Sequence, residues 1–166
     1  RHMDWKLFAK TDKLYVKQFS DETNLRCHFI IDQSSSMFYP NDLNMINQKV
    51  GFSMLSAAAL SKVLMFQRDS FGFTLFNEDI QLSTPVKNTR SHYYHMIEVF
   101  EDILYNKPSE IRRTNYHDNF KQIANMLPSR SVIILFSDLL TNKVDDLLEA
   151  FKYFKFKKHH LIVINT

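Results

Sequence analysis

Three oxygen-bearing side chains alternate along a short polar segment that directly follows an apolar run. Asp32, Ser34 and Ser36 lie in the stretch HFIIDQSSSM, which begins at His28. Alternate residues of an extended segment point to the same side, so one carboxylate and two hydroxyl groups can converge. A hard divalent cation prefers such oxygen ligands. The spacing predicts the first part of a divalent-metal site, although serine-rich loops are common and D-x-S-x-S alone is a weak motif.

A second acidic residue follows another apolar run. Asp138 comes after SVIILFS, which begins at Ser131. Both runs are apolar on both faces, which is typical of strands in the middle of a parallel sheet. Ligands of such sheets bind at the carboxyl ends of the strands, beside the switch point. We therefore expect Asp32 and Asp138 to lie near each other, the alternative being that both are solvated loop acids.

Strands and helices alternate along the rest of the chain. Hydrophobic patterns predict strands over 28–31, 71–76, 131–136 and 160–164, and a short return strand over 79–82. Helical periodicity covers 45–67 and 91–105, a third helix opens at Thr114 and ends before Pro128, and a fourth starts near Asn142. This order predicts an α/β fold: a doubly wound, mainly parallel sheet with helices on both faces and one antiparallel edge strand.

Composition sets the remaining bounds. The 166 residues carry a net charge of +3 and only 2 glycines, which argues against nucleic-acid binding and against a glycine-rich phosphate loop. We predict one domain over 4–166, after an Arg-His-Met start typical of a cloning remnant. The chain ends on a predicted strand, so we expect it to be cut from something longer. Cys27 is expected to be a buried free thiol, which favours the cytoplasm, and no apolar run reaches the length of a membrane span.

The stretch IIDQSSSM resembles the first metal-site loop of von Willebrand factor A (vWA) domains. Those domains add a threonine from a second loop and an aspartate from a third, and Thr114 and Asp138 stand in the corresponding order. The resemblance implies a metal-ion-dependent adhesion site (MIDAS), in which these two residues and the three of the first loop bind Mg²⁺, or Mn²⁺ or Ca²⁺, directly or through water. Two positions depart from the pattern: Ser35 replaces a common glycine, and Arg113 precedes the threonine where glycine is usual.

Two further segments narrow the resemblance. The lead-in DWKLFAKTDKLYVKQFSDETNLR and the later FSDLL resemble the bacterial DUF58 family. Membership implies an association with MoxR-type AAA+ ATPases and, in many members, membrane helices upstream that would anchor the full-length protein. The implied function is a non-catalytic, metal-dependent module that captures a carboxylate of a protein partner.

An enzyme is the alternative. A Mg²⁺-dependent phosphohydrolase of the haloacid dehalogenase type also places an aspartate after its first strand, here Asp32. That chemistry requires a second aspartate where Ser34 stands and paired acids where Asp138 stands alone. His117 is a possible base, although an ordinary polar helix residue is the simpler interpretation. Thr114 has its own alternative as a helix N-cap, since threonine is favoured there.

Overall fold

A five-stranded sheet positions the predicted site residues. The structure, a computed structural model, describes residues 2–3, 16–17, 24–40, 47–106, 113–141 and 144–166. The strands of this sheet are β3 (Arg26–Asp32), β4 (Ser70–Phe76), β5 (Ile80–Ser83), β6 (Val132–Ser137) and β7 (His160–Asn165). A separate antiparallel pair joins β1 (His2–Met3) to β2 (Val16–Lys17).

The sheet is doubly wound, as the sequence predicts. Its order is β5-β4-β3-β6-β7, and every pairing is parallel except that of β5 with β4. The chain starts the sheet at β3, moves to one side through β4 and β5, and then returns to the other side of β3 with β6. The carboxyl ends of β3 and β6 therefore form the switch point, where ligands of open α/β sheets bind.

Helices cover both faces of the sheet. They are α1 (Lys49–Phe66), α2 (Arg90–Tyr105), α3 (Tyr116–Met126) and α4 (Val144–Phe156). The side chains of α1 and α2 pack with Phe29 and Ile31 of β3, whereas those of α3 and α4 pack with Ile30. Strand β3 is buried on both faces for this reason, which explains its apolar run over 29–31. The predicted α/β fold is confirmed.

Two predicted helix starts are wrong. Helix α1 begins at Lys49 with Gln48 as its N-cap residue, four residues after the predicted start at 45, which lies outside the described residues. Helix α3 begins at Tyr116, because the Asn115 side chain accepts a hydrogen bond from the Asp118 amide and so caps the helix. Thr114 thus precedes the cap and does not open the helix. Asn142, the predicted start of the fourth helix, lies outside the described residues.

Helix α1 is also the most apolar of the described helices. It has 18 residues and a mean hydropathy of 1.3, enough by length and composition to cross a membrane, and 44% of that window is buried in the structure. One such helix is weak evidence for a membrane span. A core helix passes the same test, and α1 packs on the sheet through Val50, Met54 and Ala57.

The single cysteine lies inside the fold. Cys27 is a free thiol on β3 with 1% exposure, as predicted. Burial, with a smaller contribution from the charge of Asp69, raises the pKa of this thiol to about 12. The Cys27 thiol is therefore protonated and unreactive at neutral pH.

Candidate metal centre

Strands β3 and β6 place two polar residues together at the switch point. Ile31 of β3 is in register with Phe136 of β6, so the next residues, Asp32 and Ser137, leave the sheet side by side. Both are fully buried, and the Ser137 hydroxyl donates a 2.7 Å hydrogen bond to Oδ2 of Asp32. Ser137 can support the Asp32 carboxylate because the two strands pair in this parallel register, which cannot be read from the sequence.

Three more donors surround the Asp32 carboxylate. The hydroxyl of Tyr116 donates to Oδ2 at 3.1 Å, the hydroxyl of Thr114 to Oδ1 at 3.3 Å, and the amide of Ser34 to Oδ1 at 2.8 Å. Burial raises the pKa of Asp32, while the hydrogen bonds from Ser137, Ser34 and Tyr116 lower it. The site therefore holds a carboxylate that has lost its water shell and is fixed in orientation by hydroxyl groups.

The loop after β3 folds its serines back toward this carboxylate. Ser34 is the N-cap residue of a short 3-10 helix, Ser35–Phe38, and its hydroxyl lies 3.1 Å from that of Ser36. Ser34, Ser36 and Thr114 line one open cleft with a volume of about 1170 Å³. The structure thus brings together four of the five predicted residues: Asp32, Ser34, Ser36 and Thr114.

Asp138, the fifth predicted residue, is engaged differently. Its Oδ2 atom accepts a hydrogen bond from the Lys49 ammonium at 2.9 Å, and its Oδ1 atom accepts one from the Leu140 amide at 3.3 Å. Leu139, between them, has a φ of 52°, in the left-handed region that costs a branched residue about 1 kcal/mol. Asp138 lies at the end of β6 as predicted, but it is held by a lysine that sequence reasoning missed.

The alternative interpretations of neighbouring residues can now be compared with the geometry. Thr114 is not a helix cap, since Asn115 performs that role and leaves the Thr114 hydroxyl free to contact Asp32. His117 contacts Asp118 at 3.3 Å and the hydroxyl of Tyr153 at 3.3 Å, and it lines the cleft.

Sequence reasoning missed two residues of this site, Lys49 and Tyr116. Tyr116 carried a weak signal, because it follows Thr114 by two residues at the start of a helix that faces the sheet. Burial, followed by the charge of Asp32, raises the pKa of its phenol, so Tyr116 stays protonated and acts as a donor. Lys49 carried no signal in the sequence, because the predicted helix start at 45 placed it inside the helix. The observed start at Lys49 puts this cation at the amino end of α1, where it opposes the helix dipole.

The donor set is compatible with a hard cation. It comprises two carboxylates and three hydroxyl groups, the oxygen ligands that Mg²⁺, Mn²⁺ and Ca²⁺ prefer. Within the described residues, no group of three or more histidine, cysteine, aspartate or glutamate side chains could hold a metal ion. A centre here must therefore use hydroxyl groups, and metal binding by the five residues stays a prediction.

Comparison with known proteins identifies the family. The family model described as "Protein of unknown function DUF58" matches residues 1–166. The chain belongs to the DUF58 family. No curated protein matches it.

Solved structures share the fold of this DUF58 chain at low sequence identity. An aerotolerance-related membrane protein from Bacteroides fragilis superposes with a TM-score of 0.61 and 16% identity, over 84% of this chain and 66% of that one. A manganese-loaded TRAP protein from Plasmodium vivax gives 0.60 and 15%, over 86% and 57%. BatB from Bacteroides thetaiotaomicron gives 0.55 and 14%, over 84% and 65%. The DUF58 chain spans less than two thirds of each of these chains, and the likeness establishes a vWA-like fold.

Proposed function

We propose that this DUF58 domain is a non-catalytic binding module that captures an acidic residue of a protein partner through a divalent cation. Asp32, Ser34, Ser36, Thr114 and Asp138 would hold the cation. The observation that carries the proposal is the meeting of Asp32 with the Thr114 hydroxyl, 3.3 Å apart across 82 residues of sequence, beside two serine hydroxyls in one open cleft. The vWA-like fold, which serves as a protein-interaction module, supports it.

The residues of the site would have two roles, to hold the Asp32 carboxylate in place and to bind the cation. Ser137 and Tyr116 fix the Asp32 carboxylate from inside the fold, and the serine and threonine hydroxyls face the cleft. A cation there, held by neutral hydroxyls and few carboxylates, would keep enough positive charge to accept a carboxylate oxygen from a partner. Among the described residues, no observation favours the phosphohydrolase alternative.

The charged residues on the rim of the cleft indicate which charges a partner segment would carry. Its charged lining includes the acidic Glu78, Asp79, Asp118 and Asp146 and the basic Arg113. A chain with a net charge of +3 thus concentrates acids around this cleft. The fitting partner segment presents an acidic residue to the cation and basic residues to the rim, so complex formation should weaken as salt rises. A cytoplasmic MoxR-type AAA+ ATPase is the partner class that family membership favours.

A pull-down tests this function. The purified domain is used as bait in native lysate, with Mg²⁺ or with EDTA, and the captured proteins are identified by mass spectrometry. We expect a defined partner that is lost in EDTA and lost with Asp32→Asn. Glu98→Gln is the control, because Glu98 is an exposed acid on α2 that does not line the cleft. Capture that is equal with and without EDTA would contradict the proposal, as would metal-dependent phosphatase turnover abolished by Asp32→Asn.

A further inference from the structure

Lys49 occupies a position that is electrostatically unfavourable for a cation. It is the first residue of α1, its helix has no acidic residue in the first turn, and the side chain of the N-cap residue Gln48 makes no capping hydrogen bond. The amino end of a helix carries a partial positive charge, so a lysine there is repelled, whereas an acid would be favoured. A lysine at this position therefore needs a compensating partner.

Asp138 is that partner. The Lys49 ammonium lies 2.9 Å from Oδ2 of Asp138, and the two side chains are 28% and 5% exposed, respectively. Such a pair is screened less by solvent and salt than a surface pair. The pair joins the start of α1 to the end of β6, 89 residues apart in sequence, so it depends on the assembled switch point.

We propose that the Lys49 ammonium is a built-in competitor of the divalent cation for Asp138. This inference rests on the proposed function, since it concerns the same centre. While the Lys49–Asp138 pair is closed, Asp32 is the one carboxylate of the predicted set that has no cationic side chain bound to it. Full coordination requires the ammonium to leave Asp138, and the cost of opening this pair lowers the affinity for the cation.

The competition gives the centre two states. In the closed state Lys49 neutralises Asp138, so Asp32 is the one carboxylate of the predicted ligand set whose charge is left to attract a cation. In the open state both carboxylates face the cation, and the lysine side chain turns to solvent. A partner carboxylate that binds the cation favours the open state, so cation and partner bind cooperatively.

Removal of the competing charge tests the inference directly. Lys49→Met keeps the length of the side chain and removes the ammonium, and Lys62→Met is the matched control on the same helix, about 20 Å away along its axis. Mn²⁺ affinity is measured by calorimetric titration of the purified domain. We expect Lys49→Met to bind Mn²⁺ about tenfold more tightly than the unsubstituted chain, the equivalent of one partly buried ion pair, and Lys62→Met to bind it unchanged.

A second measurement uses the unsubstituted chain and does not depend on how the variants fold. An amine-acetylating reagent is applied with and without saturating Mn²⁺, and the modification of each lysine is read by mass spectrometry. We expect the acetylation rate of Lys49 to rise with Mn²⁺ while that of Lys62 stays constant. A rise at Lys49 alone supports displacement of the ammonium from Asp138.

The outcomes separate this inference from the proposed function. Equal Mn²⁺ affinity in Lys49→Met and the unsubstituted chain, with no change in Lys49 acetylation, would overturn the competition and leave the metal centre intact. Absence of Mn²⁺ binding in both chains would overturn the metal centre and the competition together. Binding by Lys49→Met alone would support both.

Discussion

Asp32→Asn separates two effects of the Asp32 carboxylate, its effect on the stability of the fold and its predicted binding of a metal ion. The Asp32 side chain is fully buried, and burial raises its pKa, which means that the charged form is unfavourable in the folded protein. Asparagine has the same shape and no charge. Its Oδ1 atom can still accept from the Ser34 amide, and its amide can donate to the hydroxyls of Ser137 and Tyr116, which are able to rotate.

We therefore expect opposite effects on stability and on metal binding. Without metal, the free energy of unfolding of Asp32→Asn should lie within about 1 kcal/mol of that of the unsubstituted chain, since the hydrogen bonds persist and a buried charge is removed. A divalent cation at a hundredfold excess over its Kd adds about 2.7 kcal/mol to the unsubstituted chain. For a domain of this size that raises Tm by about 5–11 °C. Asp32→Asn should show no such rise.

Thermal melts with Mg²⁺, with Mn²⁺ and with EDTA provide the measurement. Asp79→Asn serves as the control, because this exposed acid lines the same cleft and should keep both the melting temperature and the metal-induced rise. A full metal-induced rise in Asp32→Asn would refute the role of Asp32 as a ligand. If Asp32→Asn in EDTA were much less stable than the unsubstituted chain in EDTA, that would refute the claim that the buried Asp32 charge is unfavourable for folding.

Three further predictions concern buried residues of the sheet and of the switch point. Burial lowers the pKa of His28 from 6.5 to about 3, so below about pH 6.5 the unfolded chain binds a proton that the folded chain does not. The free energy of unfolding, measured with urea, should be constant above about pH 6.5 and should fall by up to ~1.4 kcal/mol per pH unit below it. This pH dependence should be smaller in His28→Asn. Gly72→Ala places a Cβ atom 2.8 Å from Nδ1 of His28 and should lower the free energy of unfolding by about 1–3 kcal/mol. The loss should be smaller when Gly72→Ala is made in a His28→Ala chain, and equal losses in both chains would contradict the clash. Tyr116→Phe keeps the ring but removes the hydroxyl that donates to Asp32, and it should lower the unfolding free energy by about 1–2 kcal/mol. Tyr153→Phe, at a partly exposed hydroxyl, should change it by less than about 0.5 kcal/mol. An unchanged Tyr116→Phe melt would contradict a stabilising role for the Tyr116 hydroxyl.

The predicted sheet followed from local sequence because burial on both faces leaves a clear pattern. The segments 29–31 and 132–136, which directly precede Asp32 and Ser137, are apolar, and the structure places them in the adjacent strands β3 and β6. Helix starts were harder to predict. Thr114 and Asn115 are both good capping residues, and only the hydrogen bond from the Asp118 amide to Asn115 decides between them.

What the sequence by itself determined is a candidate set of oxygen-bearing residues for a cation and the strand ends that carry two of them. D-x-S-x-S after one buried strand, an aspartate after another and a threonine between them restrict the chemistry to oxygen ligands. What only the tertiary structure decided is which of these groups is available. Asp32 is held by Ser137 and Tyr116, and Asp138 is paired with Lys49, across separations of 84 to 105 residues. Such contacts depend on strand register and helix placement, which arise from packing of the whole domain and leave no periodic signal in the sequence.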